Sequence, residues 1–307
     1  GNSPDSAMKP LSEKNETDST KKTQTSDSPV LESQITYTGA PLNVANANDD
    51  NEPLTESTTA LKTAAENFRN TAENITNYVI KIINKATGND KTLNVTLDNV
   101  NIKANNDAAL SVEGAGNTTI TLKGDNTLTS DGQHAGLEHN EKSKDDNDDS
   151  VDTGKLTITS EKDSGILTAT GGSGAAGIGG ARNNGAGIIE IAGGTITEAI
   201  GGDGGAGIGG GANSSQATTI NITGGTIKNA TGKDGGAGIG SGANSFGTTT
   251  VNITSGTVKA QGGDYGAGIG GGNNSRNTNI TISGGTIEEA VGGSTGDGIG
   301  GGNSSSN

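Results

Sequence analysis

From Tyr78 onward, apolar and polar residues alternate in short bursts, and the bursts recur. Leu93-Asn94-Val95-Thr96-Leu97, Ile120-Thr121-Leu122 and Leu156-Thr157-Ile158 come first. Ile189-Glu190-Ile191, Ile220-Asn221-Ile222, Val251-Asn252-Ile253 and Ile280-Thr281-Ile282 follow in the same style. Aliphatic residues on one side and Thr or Asn on the other form the period-two pattern of a strand buried on one face. A second burst, Gly-Thr-Ile or Gly-Thr-Val, carries Ile196, Ile227, Val258 and Ile287. A third, Ala-Gly-Ile as in Ala206-Gly207-Ile208, is embedded in glycine.

The isoleucines of this third burst, Ile178, Ile208, Ile239, Ile269 and Ile299, are 30, 31, 30 and 30 residues apart. A fixed period of that size marks a stacked repeat. Three strands and three glycine-rich turns per period predict one coil of a three-faced solenoid. A propeller blade would need four strands and usually more residues. The expected fold is all-β: a right-handed parallel β-helix of about seven coils of about 30 residues each, with a partial coil before them.

Upstream, the period changes. Leu61, Ala64, Ala65, Phe68 and Ala72 follow a 3.6-residue spacing, and Thr55 or Ser57 could cap the start. This predicts a short amphipathic helix over 55–76 that covers the open end of the solenoid; the alternative is a marginal helix in a flexible linker. Residues 1–54 are polar and rich in Ser, Thr, Asn, Asp, Lys and Glu, which predicts a disordered leader or stalk. The expected organisation is therefore leader 1–54, capping helix 55–76 and solenoid 77–307, with an acidic loop inserted at 138–153.

Composition supports a stacked repeat over an ordinary globule. Only 28% of residues are hydrophobic and 2% aromatic, while 54 are Gly. Each rung of a solenoid needs only a few small aliphatics. A net charge of −15 argues against nucleic acid or an anionic membrane as partner. The chain has no Cys, so disulfides and thiolate chemistry are excluded. No apolar run approaches the roughly 18 residues of a membrane span. The chain starts at Gly1 and stops within a repeat, and it is read as a fragment of a longer protein.

Stacked coils place equivalent residues about 4.8 Å apart, so columns can be read off the repeat. Five residues after the marker Ile stand Asn183, Asn213, Asn244 and Asn274. Their amides can hydrogen-bond along the column, each as donor and acceptor. Five residues before it stand Ser173, Asp203, Asp234, Asp264 and Ser294. Stacked carboxylates either splay into water or share a cation, and calcium is the natural partner for oxygen ligands. Aspartate also suits such turns by bonding its own backbone. The nonapeptide of calcium-binding solenoids does not recur here.

The insertion holds Glu141, Asp145, Asp146, Asp148, Asp149 and Asp152, but not at EF-hand spacing. It is flanked by His134 and His139, the only histidines, which could ligate a metal with acidic neighbours. Asp297 replaces Ala206, Ala237 and Ala267, two residues before the marker Ile and on the same strand face; if that face is interior, the last coil is atypical. Thr219, Asn221 and Thr223, with Thr250, Asn252, Thr254, Asn279, Thr281 and Ser283, form a polar stripe on the first strand.

The run Gly-Asp-Asn-Thr-Leu at 124–128, Gly-Ile-Leu-Thr-Ala-Thr-Gly-Gly at 165–172, and the Gly-Ala-Gly-Ile-Gly-Gly-Gly coils resemble bacterial surface proteins with glycine-rich β-helical repeats. Such proteins are labelled adhesin-like or carbohydrate-binding. The resemblance covers roughly 90–307. It implies an extracellular setting, at the bacterial cell surface or wall, and transfers no site residues.

The expected function is non-catalytic adhesion: binding of a glycan or glycoprotein on host or neighbouring cells through stacked polar turns. Asn213, Asn244, Asn274 and Tyr265 are the candidate ligand contacts, and Asp203, Asp234 and Asp264 the candidate calcium ligands. Three other readings stay open: a passive spacer, a polysaccharide lyase or hydrolase, and an ice-binding surface. A hydrolase needs two carboxylates flanking a bond, a lyase needs a base, and coils this uniform offer no obvious site for either. Glu190 and Ala192 interrupt the stripe that ice binding would use.

Overall fold

A computed structural model describes residues 33–37, 44–48, 77–86, 92–144, 150–162 and 164–306. The chain winds through three sheets in turn. The first holds nine strands, among them Ile80–Asn84, Leu110–Glu113, Leu137–His139, Ile178–Gly179 and Ile208–Gly209. The second holds eight, including Leu93–Asp98, Leu156–Ser160, Gly187–Ile191 and Thr218–Ile222. The third holds seven, including Asp125–Thr129, Thr195–Ile200 and Thr226–Thr231. From Ile80 on, every pairing within the three sheets is parallel, and each strand pairs with its equivalent one coil away. The architecture is the parallel three-sheet solenoid of about seven coils that the repeat predicts.

The aliphatic bursts become continuous interior ladders. Val95, Ile120, Ile158, Ile191, Ile222, Ile253 and Ile282 stand in register down the second sheet. Leu110, Leu137, Ile178, Ile208, Ile239 and Ile269 do so in the first. All of these except Ile282 are fully buried. Ile282 lies on the last described coil, where no further rung covers it. Asp297 lies there too: Ala206, Ala237 and Ala267 of its column are buried, whereas Asp297 is exposed and accepts the Gly301 N–H at 3.0 Å.

The variable period has a local cause. The strand of the third sheet carries two residues between Ile227 and Ala230 but one between Val258 and Ala260, and the ladder shifts register there. The turn after the first-sheet strand is also one residue shorter from Asn274 to Thr278 than from Asn213 to Thr218. Only the 31-residue coil has both the longer turn and the bulge.

Upstream, the picture departs from expectation. Within the segment read as a disordered leader, Ser33–Tyr37 and Val44–Asn48 are strands. They pair antiparallel with Ile80–Asn84 and Leu93–Asp98, and so they cover the N-terminal edges of two sheets. Polar composition hid them because an edge strand is held by backbone hydrogen bonds, which any sequence can supply. The rest of 1–54 and the helix expected over 55–76 lie outside the described residues. The insertion begins and ends as an antiparallel ribbon, Lys142–Lys144 against Ser150–Asp152.

Candidate functional site

The first-sheet strands of the glycine-rich coils are only two residues long, Ile then Gly. The glycine is forced. Gly209 has φ 140°, and a Cβ there would overlap the carbonyl oxygen of Gly240 in the next coil. With so short a strand, the turns on either side curl towards each other. Ala212 N–H donates to Gly174 O at 2.7 Å, Ala243 to Gly204 at 2.8 Å and Asn273 to Gly235 at 2.7 Å.

The Asp turn before the strand and the Asn turn after it thereby become two walls of one shallow groove of about 300 Å³. Ser173, Arg182, Asp203, Gly204, Ala212, Asn213, Asp234, Ala243 and Asn244 line it. Its floor is tight: a Cβ on Gly204 would lie 3.0 Å from the Ala212 methyl. Of the candidate residues, Asn213, Asn244, Asp203 and Asp234 are brought together here. Asn274 and Asp264 continue the same columns one coil on.

The Asn wall is an amide ladder. Asn274 Nδ2 donates to Asn244 Oδ1 at 3.0 Å, and Asn244 Nδ2 to Asn213 Oδ1 at 3.2 Å. All three residues, with Asn183, have left-handed backbones, φ 52° to 70°. Asn tolerates that region better than other side chains. This explains the residue type independently of any ligand. Asn213 and Asn274 are exposed and Asn244 is half-buried.

The Asp wall is electrostatically strained. Asp234 is held above the usual carboxylate range, first by a hydrogen bond shared with Asp203, then by slight burial and the charges of Asp203 and Asp264. Lys233 opposes this, and its Nζ lies 3.4 Å from Asp203 Oδ1. Among the described residues, no group of three or more His, Cys, Asp or Glu side chains converges as a metal cage. The carboxylates are arrayed along a line, coil by coil.

Tyr265 stands in a left-handed column that holds glycine in the preceding coils and Thr295, at φ 61°, in the next. Gly174, Gly204 and Gly235 occupy its place in preceding coils, and Tyr265 shares their left-handed backbone at φ 69°. Its side chain is exposed. Phe246, also exposed, lies under the Arg276 guanidinium at 4.8 Å from the ring centroid.

Arg182 was missed as a groove residue. The signal was present: it replaces the alanines that precede Asn213 and Asn244, and its stem packs against Gly174. Asn126 was missed too. It is fully buried, accepts the Val100 N–H at 2.8 Å and donates to the carbonyls of Lys123 and Ile166. It ties the turns of successive coils together and is structural.

The two histidines do not form a metal pair. His134 Nδ1 lies 3.0 Å from Glu138 Oε1, and that hydrogen bond holds its pKa above the ordinary value. His139 points inward, 1% exposed, with both ring nitrogens against carbonyl oxygens and none free for a metal. The Thr/Asn stripe is in register over three coils but stops upstream at exposed Ile188 and at Glu190, which pairs with Lys155 at 3.2 Å.

The fold defines a β-helix repeat protein. A family model described as "Beta helix repeat" matches residues 220–243, 251–273 and 280–303. Comparison with curated proteins and with solved structures finds no match.

Proposed function

We propose that this chain is the repeat rod of a bacterial surface adhesin and that it binds a polar glycan, without catalysis, along the groove between the Asn and Asp columns. One observation carries the reading: two columns ten residues apart in sequence face each other across a groove that repeats at the coil spacing. A ligand made of repeating polar units could place one unit per coil, so weak contacts would add along the rod. Asn213, Asn244 and Asn274 would supply amide hydrogen bonds, Asp203 and Asp234 would accept from hydroxyls, and the exposed ring of Tyr265 would stack a sugar face. Calcium, if used, would bridge Asp203, Asp234 and Asp264. The glycine-rich repeats and the acidic surface support an extracellular, cell-surface setting.

The test is a glycan array with the full chain, with and without calcium, followed by Asn213→Ala/Asn244→Ala. Saturable binding to one sugar class, weakened at least tenfold in the double variant, would support the groove. A blank array would shift the reading to a passive spacer, which the uniformity of the coils from 187 to 306 also suits.

A further inference from the structure

The groove is not uniform along its length. At its N-terminal end, in the coil of Ile178, three positions depart from their columns together. The position before the turn Asn, which holds Ala212, Ala243 and Asn273 in later coils, holds Arg182. The position of Asp203, Asp234 and Asp264 on the opposite wall holds Ser173. The amide ladder also stops. It runs from Asn274 through Asn244 to Asn213, and among the described residues no amide contact joins Asn213 to Asn183.

Arg182 is half-buried, and its stem lies on the opposite wall: a Cβ on Gly174 would stand 2.7 Å from its Cγ and Cδ. Its backbone N–H is held by Gln133 O at 3.1 Å. The side chain therefore crosses the groove to the turn that carries Ser173. Among the described residues its guanidinium makes no ion pair, although Asp203 and Asp234 line the same groove. A cation placed to neutralise the acid wall would have an aspartate opposite it. The chain instead withdraws the carboxylate in the coil where it supplies the cation. Ser173 and Asn183 are exposed, so a hydroxyl and an amide flank the guanidinium.

The surrounding charges leave this end open to an anion. Asp203, the first carboxylate of the wall, stands one coil on and is paired with Lys233 at 3.4 Å. In the coil before, Asp131 turns back on its own chain and accepts the Gly132 N–H at 2.8 Å. Glu138 accepts from the Ala135 N–H and is engaged with His134. The chain's remaining negative charge is screened beyond about 8 Å at physiological ionic strength. A guanidinium offers a planar fork of N–H donors that matches a carboxylate in two parallel bonds. Further along, Asp203 and Asp234 accept from hydroxyls and would repel a second acid.

We propose that Arg182, with Ser173 and Asn183, forms an anion subsite that anchors the carboxylate of one acidic sugar, while the neutral units behind it run along the Asn and Asp columns. The assignment rests on the glycan reading of the groove and narrows it to a neutral chain ending in one acidic sugar. It also gives the groove a direction, with the acid at the Arg182 end and hydroxyls towards Asp264.

The probes are sialyllactose and a glucuronate-terminated trisaccharide, each beside its own carboxyl methyl ester, titrated into the intact protein by calorimetry. At least one acid should bind about tenfold or more tighter than its ester. Arg182→Ala should bring that acid down to its ester, and Arg182→Lys should restore part of the difference. The alanine suits the fold, since Ala212 and Ala243 already stand in that column. Asn244→Ala should weaken acid and ester alike. Equal binding of acid and ester by the parent, or a preference that survives Arg182→Ala, would overturn the subsite and leave the glycan reading standing. Neutral glycans that bind on the array while every acidic one fails would do the same. No binding of any probe together with a blank array would overturn the glycan reading and the subsite with it. The parent comparison decides even if an Arg182 variant folds poorly.

Discussion

At the scale of the residue, the informative positions are those where one coil departs from its column. Tyr265 adopts a left-handed backbone that Gly174, Gly204 and Gly235 adopt freely. For a side chain with a Cβ, that conformation costs about 1–2 kcal/mol. Tyr265→Gly should therefore raise the melting temperature by a few degrees and, if the ring stacks a sugar, weaken glycan binding. A scan and a binding isotherm on the same sample separate the two effects. Gly209 is the opposite case. Gly209→Ala would drive a methyl into the Gly240 carbonyl at φ 140° and should destabilise the rod by about 3 kcal/mol, read from a denaturant midpoint.

Asp234 carries a proton more readily than a free carboxyl, because Asp203 shares a hydrogen bond with it and Asp264 adds charge. For an acid whose folded pKa is raised, ionisation is unfavourable in the fold. The penalty is present near pH 7 and is relieved as pH falls through the raised value. Asp234→Asn should accordingly raise the melting temperature at pH 7, and the gain should shrink towards pH 3.

At the scale of the element, stability comes from ladders that run between coils. The Asn213–Asn244–Asn274 chain joins three turns, and a second amide contact, Asn252 Nδ2 to Asn221 Oδ1 at 2.9 Å, joins two strands. Asn244→Ala removes both bonds of the central amide and places alanine in a left-handed turn. The expected loss is about 2–3 kcal/mol by chemical denaturation. Asn252→Ala removes a single bond in an ordinary strand and should cost less, about 0.5–1 kcal/mol.

Much of this was legible. The marker Ile fixes the coil phase, and the phase aligns the Asn and Asp columns from the sequence alone. The terminal strands Ser33–Tyr37 and Val44–Asn48 were not legible, because edge pairing through the backbone leaves no side-chain pattern. Asn126 and His139 were hidden for another reason. A buried polar side chain breaks the alternation in sequence, and only its hydrogen-bond partners, distant along the chain, show why it is tolerated.

At the scale of the whole molecule, the chain is a quasi-one-dimensional stack in which each coil touches only its neighbours. Deleting residues 208–238 would remove one coil and rejoin Gly207 to Ile239 in the same phase. The product should keep its β circular-dichroism signature, lose stability modestly and bind a repeating glycan more weakly. Collapse of the fold would show that the coils are not interchangeable.

The sequence by itself determined the period, the three strands per coil and the identity of the inward columns. All of these are local consequences of side-chain alternation and of where glycine is required. Only the tertiary structure decided that the Asp and Asn turns face each other. Their approach depends on the first strand being two residues long and on hydrogen bonds between successive coils, such as Ala212 to Gly174 and Ala243 to Gly204. It likewise decided which way His134 and His139 point, because the choice between solvent and interior is made by the coils stacked on either side.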